Sequence, residues 1–235
     1  MFRRKSRVDS IRDLFSTELR MEEAAFMYLG YSGVVLRTTA GTIAFDVADL
    51  LKGEEIRALA GLDLLLFTHG HGDHYKARET LEVFAETGAD IVAEPSLARE
   101  LRGKVPSDKL ISAEPGRAYS IGNYEVTTVR GIHRGPINLY RVKVGESLVF
   151  HGGDSGYVPL KEYKSDLALL PTGSPSPTAS PGDALKMALD LRPKVAVAIH
   201  GSTSQNREFE KVVKEKMADT AVIIPGPYKP EKVAL

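Results

Sequence analysis

The chain has 235 residues with 31 basic and 31 acidic side chains, so it carries no global field to hold nucleic acid or an anionic membrane. Hydrophobic content of 43% and charged content of 26% are those of an ordinary soluble globular protein. There is no cysteine, which excludes disulfides and thiolate ligands and leaves imidazole and carboxylate for any metal.

The basic start "FRRKSR" has no apolar run behind it, unlike a secretory signal. No stretch reaches the ~20 apolar residues of a membrane span, so a cytoplasmic location is expected. Residues 1–22 read as an N-terminal helical extension to one domain covering 1–235, with a loosely attached helix over 11–25. Strands follow in "AFMYLG" and "GVVLRTTAGTIAFD", the latter turning at Ala40-Gly41. The run "LDLLLFTH" predicts a strand covered on both faces. "YKARETLEVFAETG" predicts a helix with Leu81, Phe84 and Ala85 on one face and Gly88 as its cap.

After it come a strand in "ADIVAEP" and a short helix from Ser96. Hairpins are expected around Gly122-Asn123 and Gly145-Glu146. "SDLALLPTG" and "KVAVAIHG" read as strands. Between them Ser180, Pro181 and Asp183 mark a helix start. "NREFEKVVKEKMA" predicts an amphipathic helix and "TAVIIPGP" a last strand. Hairpins mixed with strand–helix units in both halves fit two packed sheets with helices outside. Scarce amides (Asn123, Asn138, Asn206 and Gln205), together with absent cysteine, point to a thermophilic source.

Six histidines are present, and three of them stand in "THGHGDH", directly after an apolar strand. Gly70 and Gly72 free the backbone there, so that His69, His71, Asp73 and His74 can converge. His133, Asp154, His200 and Asp46 also follow apolar strands. Polar groups at the same ends of several strands are how a composite site is built on a rigid sheet. The ligand count predicts two metals. His69, His71 and His133 hold one ion, Asp73, His74 and His200 hold the other, and Asp154 bridges them. Each ion keeps an open position, as catalysis requires. His151 is left over and is expected to pack or hydrogen-bond.

The series "THGHGDH", His133, "GGDSG" and "AIHG" resembles the signature of the metallo-β-lactamase superfamily, over residues of about 24 to 225. Within it, the length and "LLPTGSPSPTASPGDAL" are most similar to a small branch that includes ascorbate-phosphate-lactonase-like and uncharacterised hydrolases. The resemblance implies an α/β fold, a four-layer αββα sandwich, with a binuclear site at one edge of the sheets. It implies metal-dependent hydrolysis, with Asp46 orienting a ligand histidine. Tyr31 in "LGYSG" stands where that branch commonly has histidine.

Two divalent ions, zinc by default and manganese or iron as alternatives, would activate a water as nucleophile. Asp73 is then ligand and proton carrier. Arg134, Tyr157, Ser202 and Thr203 flank the ligands and are candidate substrate contacts, with Arg134 suited to an anion. The proline-, serine- and threonine-rich loop over 172–181 is expected to cover the site. The substrate expected is a small phosphoester, lactone or related ester. Rival readings are a nucleic-acid phosphodiesterase, an iron-binding redox protein on the same ligands, and a non-catalytic metal-binding protein.

Overall fold

The computed structural model describes residues 5–235. The basic start therefore lies partly outside the described residues. In chain order the elements are α1 (Arg7–Ser16), β1 (Glu23–Gly30), β2 (Gly33–Thr38), β3 (Gly41–Phe45), α2 (Glu54–Arg57), β4 (Leu64–Phe67), α3 (Ala77–Thr87), β5 (Asp90–Ala93), α4 (Pro95–Leu101) and β6 (Leu110–Ser112). The second half runs β7 (Ala118–Ile121), β8 (Tyr124–Arg130), β9 (Asn138–Val144), β10 (Ser147–His151), β11 (Leu167–Pro171), α5 (Pro181–Leu191), β12 (Val195–Ile199), α6 (Thr203–Lys216), β13 (Ala221–Ile223) and β14 (Pro230–Ala234).

The strands form two seven-stranded sheets, ordered β14-β1-β2-β3-β4-β5-β6 and β13-β12-β11-β10-β9-β8-β7. Each sheet has an antiparallel part joined to a parallel part, at β3–β4 and β10–β11. Side-chain alternation then divides the core. Phe26, Leu36, Leu64 and Leu66 of one sheet meet Tyr140, Val142, Leu167 and Val197 of the other. The opposite faces pack on helices: Leu65 and Phe67 with Ile11, Leu14, Val83 and Leu97, and Ala168 and Leu170 with Met187, Leu191, Phe209 and Val213. The result is the αββα sandwich.

Antiparallel pairing of β1–β2 and β2–β3 leaves β1 pointing the same way as β3. The same relation through β9 aligns β8 with β10. The carboxyl ends of β1, β3 and β4 are therefore at one edge, as are those of β8, β10, β11 and β12 within their own sheet. Hydrogen bonds tie the two sheets together at this edge. Asn138 N–H donates to Thr68 O at 3.0 Å, and Tyr140 Oη donates to Phe67 O at 2.8 Å.

Helix starts follow the sequence signals where those exist. Ser180 Oγ accepts from Asp183 N–H at 3.1 Å, with Pro181 as the first helical residue. Gly88 closes α3 in the left-handed conformation, at φ 66°. The expected helix over 11–25 is corrected at both ends. It runs Arg7–Ser16, because Thr17 turns extended and Glu23–Ala25 are taken into β1 by pairing with β14 and β2. Nor is it loosely attached, since Ile11 and Leu14 are fully buried against the first sheet. The strands β6 and β14 have no counterpart in the sequence reading.

Among the described residues, no helix is long and apolar enough to cross a membrane. Leu14→Ala is expected to cost about 2–5 kcal/mol of stability, the range for deleting a well-packed leucine. Thermal unfolding measures it, and an unchanged Tm would return α1 to the status of a loose extension.

Candidate metal centre

The loop after β4 is fixed from beneath by Asp46, which follows β3. Its buried carboxylate accepts from Thr68 N–H at 2.8 Å, from Thr68 Oγ1 at 2.7 Å and from His74 Nδ1 at 2.8 Å. Thr68 Oγ1 in turn lies 3.0 Å from His69 Nδ1. Since the hydroxyl proton goes to Asp46, His69 must donate from Nδ1. Both histidines are thereby left with a lone pair on Nε2, facing outward from the sheet edge.

The second sheet uses the same device. His200 Nδ1 lies 3.2 Å from Gly173 O, and His133 Nδ1 lies 2.9 Å from Thr178 Oγ1. The Thr178 hydroxyl has acceptors of its own in Asp154 O at 3.0 Å and Ser176 Oγ at 3.2 Å, which leaves its oxygen able to accept from His133 Nδ1. Four histidines thus present Nε2 to one space. His71 is exposed and turns Nδ1 toward His133 Nε2, at 3.0 Å.

The seven expected ligands fall into two groups: His69, His71, His133 and Asp154, and Asp73, His74 and His200. Within each group the ligand atoms lie within 4.8 Å of one another. His74 Nε2 and His200 Nε2 are 3.2 Å apart. Tetrahedral ligation at a Zn–N distance of 2.0–2.1 Å would separate two nitrogens by about 3.3 Å. Asp154 touches both groups. Its Oδ1 lies 3.4 Å from His69 Nε2, and its Oδ2 lies 3.5 Å from His133 Nε2 and 3.7 Å from both His74 and His200 Nε2. Asp73 Oδ2 lies 3.5 Å from His200 Nε2.

The residues fit a metal on two further observations. His69 Nε2 and Asp154 Oδ1 are buried without any hydrogen-bond partner, a costly arrangement unless a cation lies between them. The electrostatics also call for positive charge. Burial pushes the Asp154 carboxyl up from its usual range. Burial opposes charge on His74, yet Asp46, Asp154 and Asp73 around it raise its pKa regardless. Burial and the neighbouring His74 lower His69 to about 2.

His151 belongs to the frame around the site. It is fully buried, stacks on Phe45 at 4.5 Å, donates from Nε2 to Ser32 O at 2.9 Å and accepts Gly153 N–H on Nδ1. Three residues at this edge, Tyr31, Asp46 and His200, hold positive φ of 45–48° without being glycine. Such strain gathers at functional sites. His200 N–H donates to Tyr31 O at 2.9 Å, and the two rings lie 5.9 Å apart.

The model of the β-lactamase superfamily domain matches residues 45–201, a span that contains Asp46 and all seven candidate ligands. The chain belongs to the metallo-β-lactamase superfamily. A metal-dependent hydrolase of Methanopyrus kandleri is 30% identical over 187 residues, 70% of this chain and 80% of that protein. Another from Thermus thermophilus is 29% identical over 225 residues, covering 85% of this chain and 95% of the relative. Among solved structures, a metallo hydrolase of the hyperthermophilic archaeon Ignicoccus hospitalis superposes with a TM-score of 0.76 at 23% identity. That match covers 91% of this chain and 99% of the other. This member of the superfamily is accordingly an enzyme of the metal-dependent hydrolase group.

The substrate candidates fare differently. Arg134 is exposed beside His133. Tyr157 is committed elsewhere, its hydroxyl donating to Asp190 Oδ2 at 2.9 Å beneath α5. Ser202 is the N-cap of α6 in a full capping box with Gln205, and Thr203 is the first helical residue. The 172–181 loop meets the His133 and His200 rings from their Nδ1 side, through Thr178 and Gly173. Sequence reading missed Thr68, Gly173, Ser176 and Thr178. Only Thr68 had a signal, as the hydroxyl residue between strand and histidines.

Asp154→Ala is expected to lower metal content in both groups, because the carboxylate touches both. His151→Ala should lower Tm through lost packing yet leave the ligands in place. Elemental analysis beside thermal unfolding separates the two, and equal metal loss would make His151 part of the ligand set.

Proposed function

We propose that this enzyme is a binuclear metallohydrolase acting on a small phosphoester, lactone or related ester, with zinc as the default metal and manganese or iron as alternatives. The observation that carries the reading is Asp154, buried between two groups of imidazoles, with Oδ1 toward His69 and Oδ2 toward His133 of one group and His74 and His200 of the other. When bound, a pair of divalent ions lowers the pKa of a shared water and polarises the scissile bond.

The chain's own residues supply the rest. Asp46, Thr68, Gly173 and Thr178 fix four rings in one tautomer, so little reorganisation is needed on reaction. Asp73 is half-buried, whereas Asp154 is buried. Asp73 Oδ2 faces His200 Nε2 at 3.5 Å and His74 Nε2 at 3.7 Å. It is the ligand carboxylate with access to solvent, which suits it to carry a proton from the attacking water to the leaving group.

Arg134, exposed beside His133, is proposed to contact an anionic part of the substrate away from the reacting bond. Ser202 and Thr203 are less suited to substrate contact, since the cap employs the Ser202 side chain. A thermophilic setting accords with the scarce amides and with the hyperthermophilic source of the Ignicoccus neighbour. A small-molecule substrate accords with the zero net charge.

The deciding experiment is metal analysis followed by an ester, lactone and phosphodiester panel with each metal restored. About two ions per chain and chelator-reversible hydrolysis are expected. Fully reconstituted protein holding no metal would defeat the reading. Arg134→Ala should lower kcat/KM on an anionic substrate by roughly 1–3 kcal/mol, the worth of a charge-assisted hydrogen bond, and leave a neutral ester little changed. Equal losses on both would mean that Arg134 acts through the fold.

A further inference from the structure

The loop between β11 and α5 makes more contacts with the metal centre than its sequence foretold. Gly173 O receives His200 Nδ1. Thr178 Oγ1 receives His133 Nδ1 at 2.9 Å. Ser176 Oγ donates to Asp154 O at 2.6 Å, and Thr178 Oγ1 donates to the same carbonyl at 3.0 Å. One short segment therefore holds a residue from each ligand group and the aspartate between them.

Its own position is set from α6. Gln205 Oε1 accepts both Ser174 N–H and Ser202 N–H, each at 3.0 Å. The capping box that starts α6 is thus also the anchor of the loop.

From this we infer that Thr178 is a positioning residue for one ion of the pair, the ion held by His133, on the binuclear reading proposed above. A neutral imidazole carries one proton, and the partner of one nitrogen decides where it rests. Thr178 has one hydroxyl proton, which Asp154 O at 3.0 Å or Ser176 Oγ at 3.2 Å can take, leaving its oxygen to accept from His133 Nδ1 at 2.9 Å. That fixes the His133 proton on Nδ1 and turns the Nε2 lone pair to the ligand group. Without the hydroxyl, Nδ1–H loses its acceptor and the tautomer protonated on Nε2, which cannot ligate, becomes competitive.

The effect is confined to one ion because the other contacts have independent support. Asp154 O keeps its bond from Ser176, and Ser176 Oγ also accepts Thr178 N–H and Ala179 N–H, at 3.3 Å each. His200 rests on a main-chain carbonyl, which no side-chain change at 178 removes. His74 and His69 depend on Asp46 and Thr68, in the other sheet.

The test is stepwise cobalt(II) titration of the chelator-treated full chain, followed by visible absorption and calorimetry. Thr178→Val keeps the side-chain volume and removes the hydroxyl. It is expected to weaken one binding step by about 10–100-fold, as loss of an imidazole's hydrogen-bond partner does, with the other step unchanged. Thr178→Ser should restore wild-type binding. In a His133→Ala background, Thr178→Val should add no further weakening of that step. Two wild-type steps in Thr178→Val, or equal weakening of both, would overturn the inference. A wild type that takes up fewer than two ions would overturn the binuclear reading instead, and is seen before any variant is made.

Discussion

A buried carboxylate with three donors underlies the arrangement of the whole site. Asp46 is fully buried, and an ion in that position is costly unless its oxygens are satisfied. Burial alone would push its pKa up, but the charge and hydrogen bond of His74 outweigh it, and the carboxyl lies below its usual range. The same three contacts bind the end of β3 to the start of the histidine loop and fix one ring directly and another through Thr68. The Asp46 backbone reaches them at φ 45°, a strained conformation held in part by its own N–H bond to Leu66 O. Loss of this carboxylate would release two ligands at once.

The second sheet has no equivalent charge. Its ligands depend on neutral partners: a carbonyl for His200 and hydroxyls for His133 and for the main chain of Asp154. The two halves are joined by hydrogen bonds between sheets, including Ser32 Oγ to Gly153 O at 2.8 Å and His151 Nε2 to Ser32 O. A shift of one sheet against the other would break these bonds and separate the two ligand groups. The sandwich core, with Phe26, Phe45 and Tyr140 among its largest buried residues, resists that shift.

The candidate ligands could be picked out in the sequence because each stands just past an apolar strand or within one six-position cluster, and the fold brings them together at one edge. Apolar runs and alternation also located the strands other than β6 and β14, and Ser180 with Pro181 marked the start of α5. What was not legible depends on contacts between segments far apart in the chain. Thr178 reaches His133 across 45 positions, and nothing local distinguishes it from the other hydroxyls of its loop. Residues 17–25 lack a proline or glycine stop, so the first helix was read too long, and pairing with β14 from the far end of the chain decided the boundary. Tyr157 follows Asp154 closely in sequence, but its hydroxyl finds Asp190 on α5. Proximity in sequence to a ligand does not fix where a long side chain points.

The charge of the centre connects the structure to its chemistry. Asp46, Asp73 and Asp154 bring three carboxylates to the site, and imidazoles bind a metal in their neutral form. On the binuclear reading two divalent ions leave the centre with about one net positive charge, in a chain whose total is zero. That excess is local. It would favour ionisation of a water at the centre and the approach of a small anion, while offering little to a long polyanion that needs a row of cations. On the same reading, choice between substrates would fall to exposed side chains beside the centre, such as Arg134 next to His133 and Tyr31 next to His200.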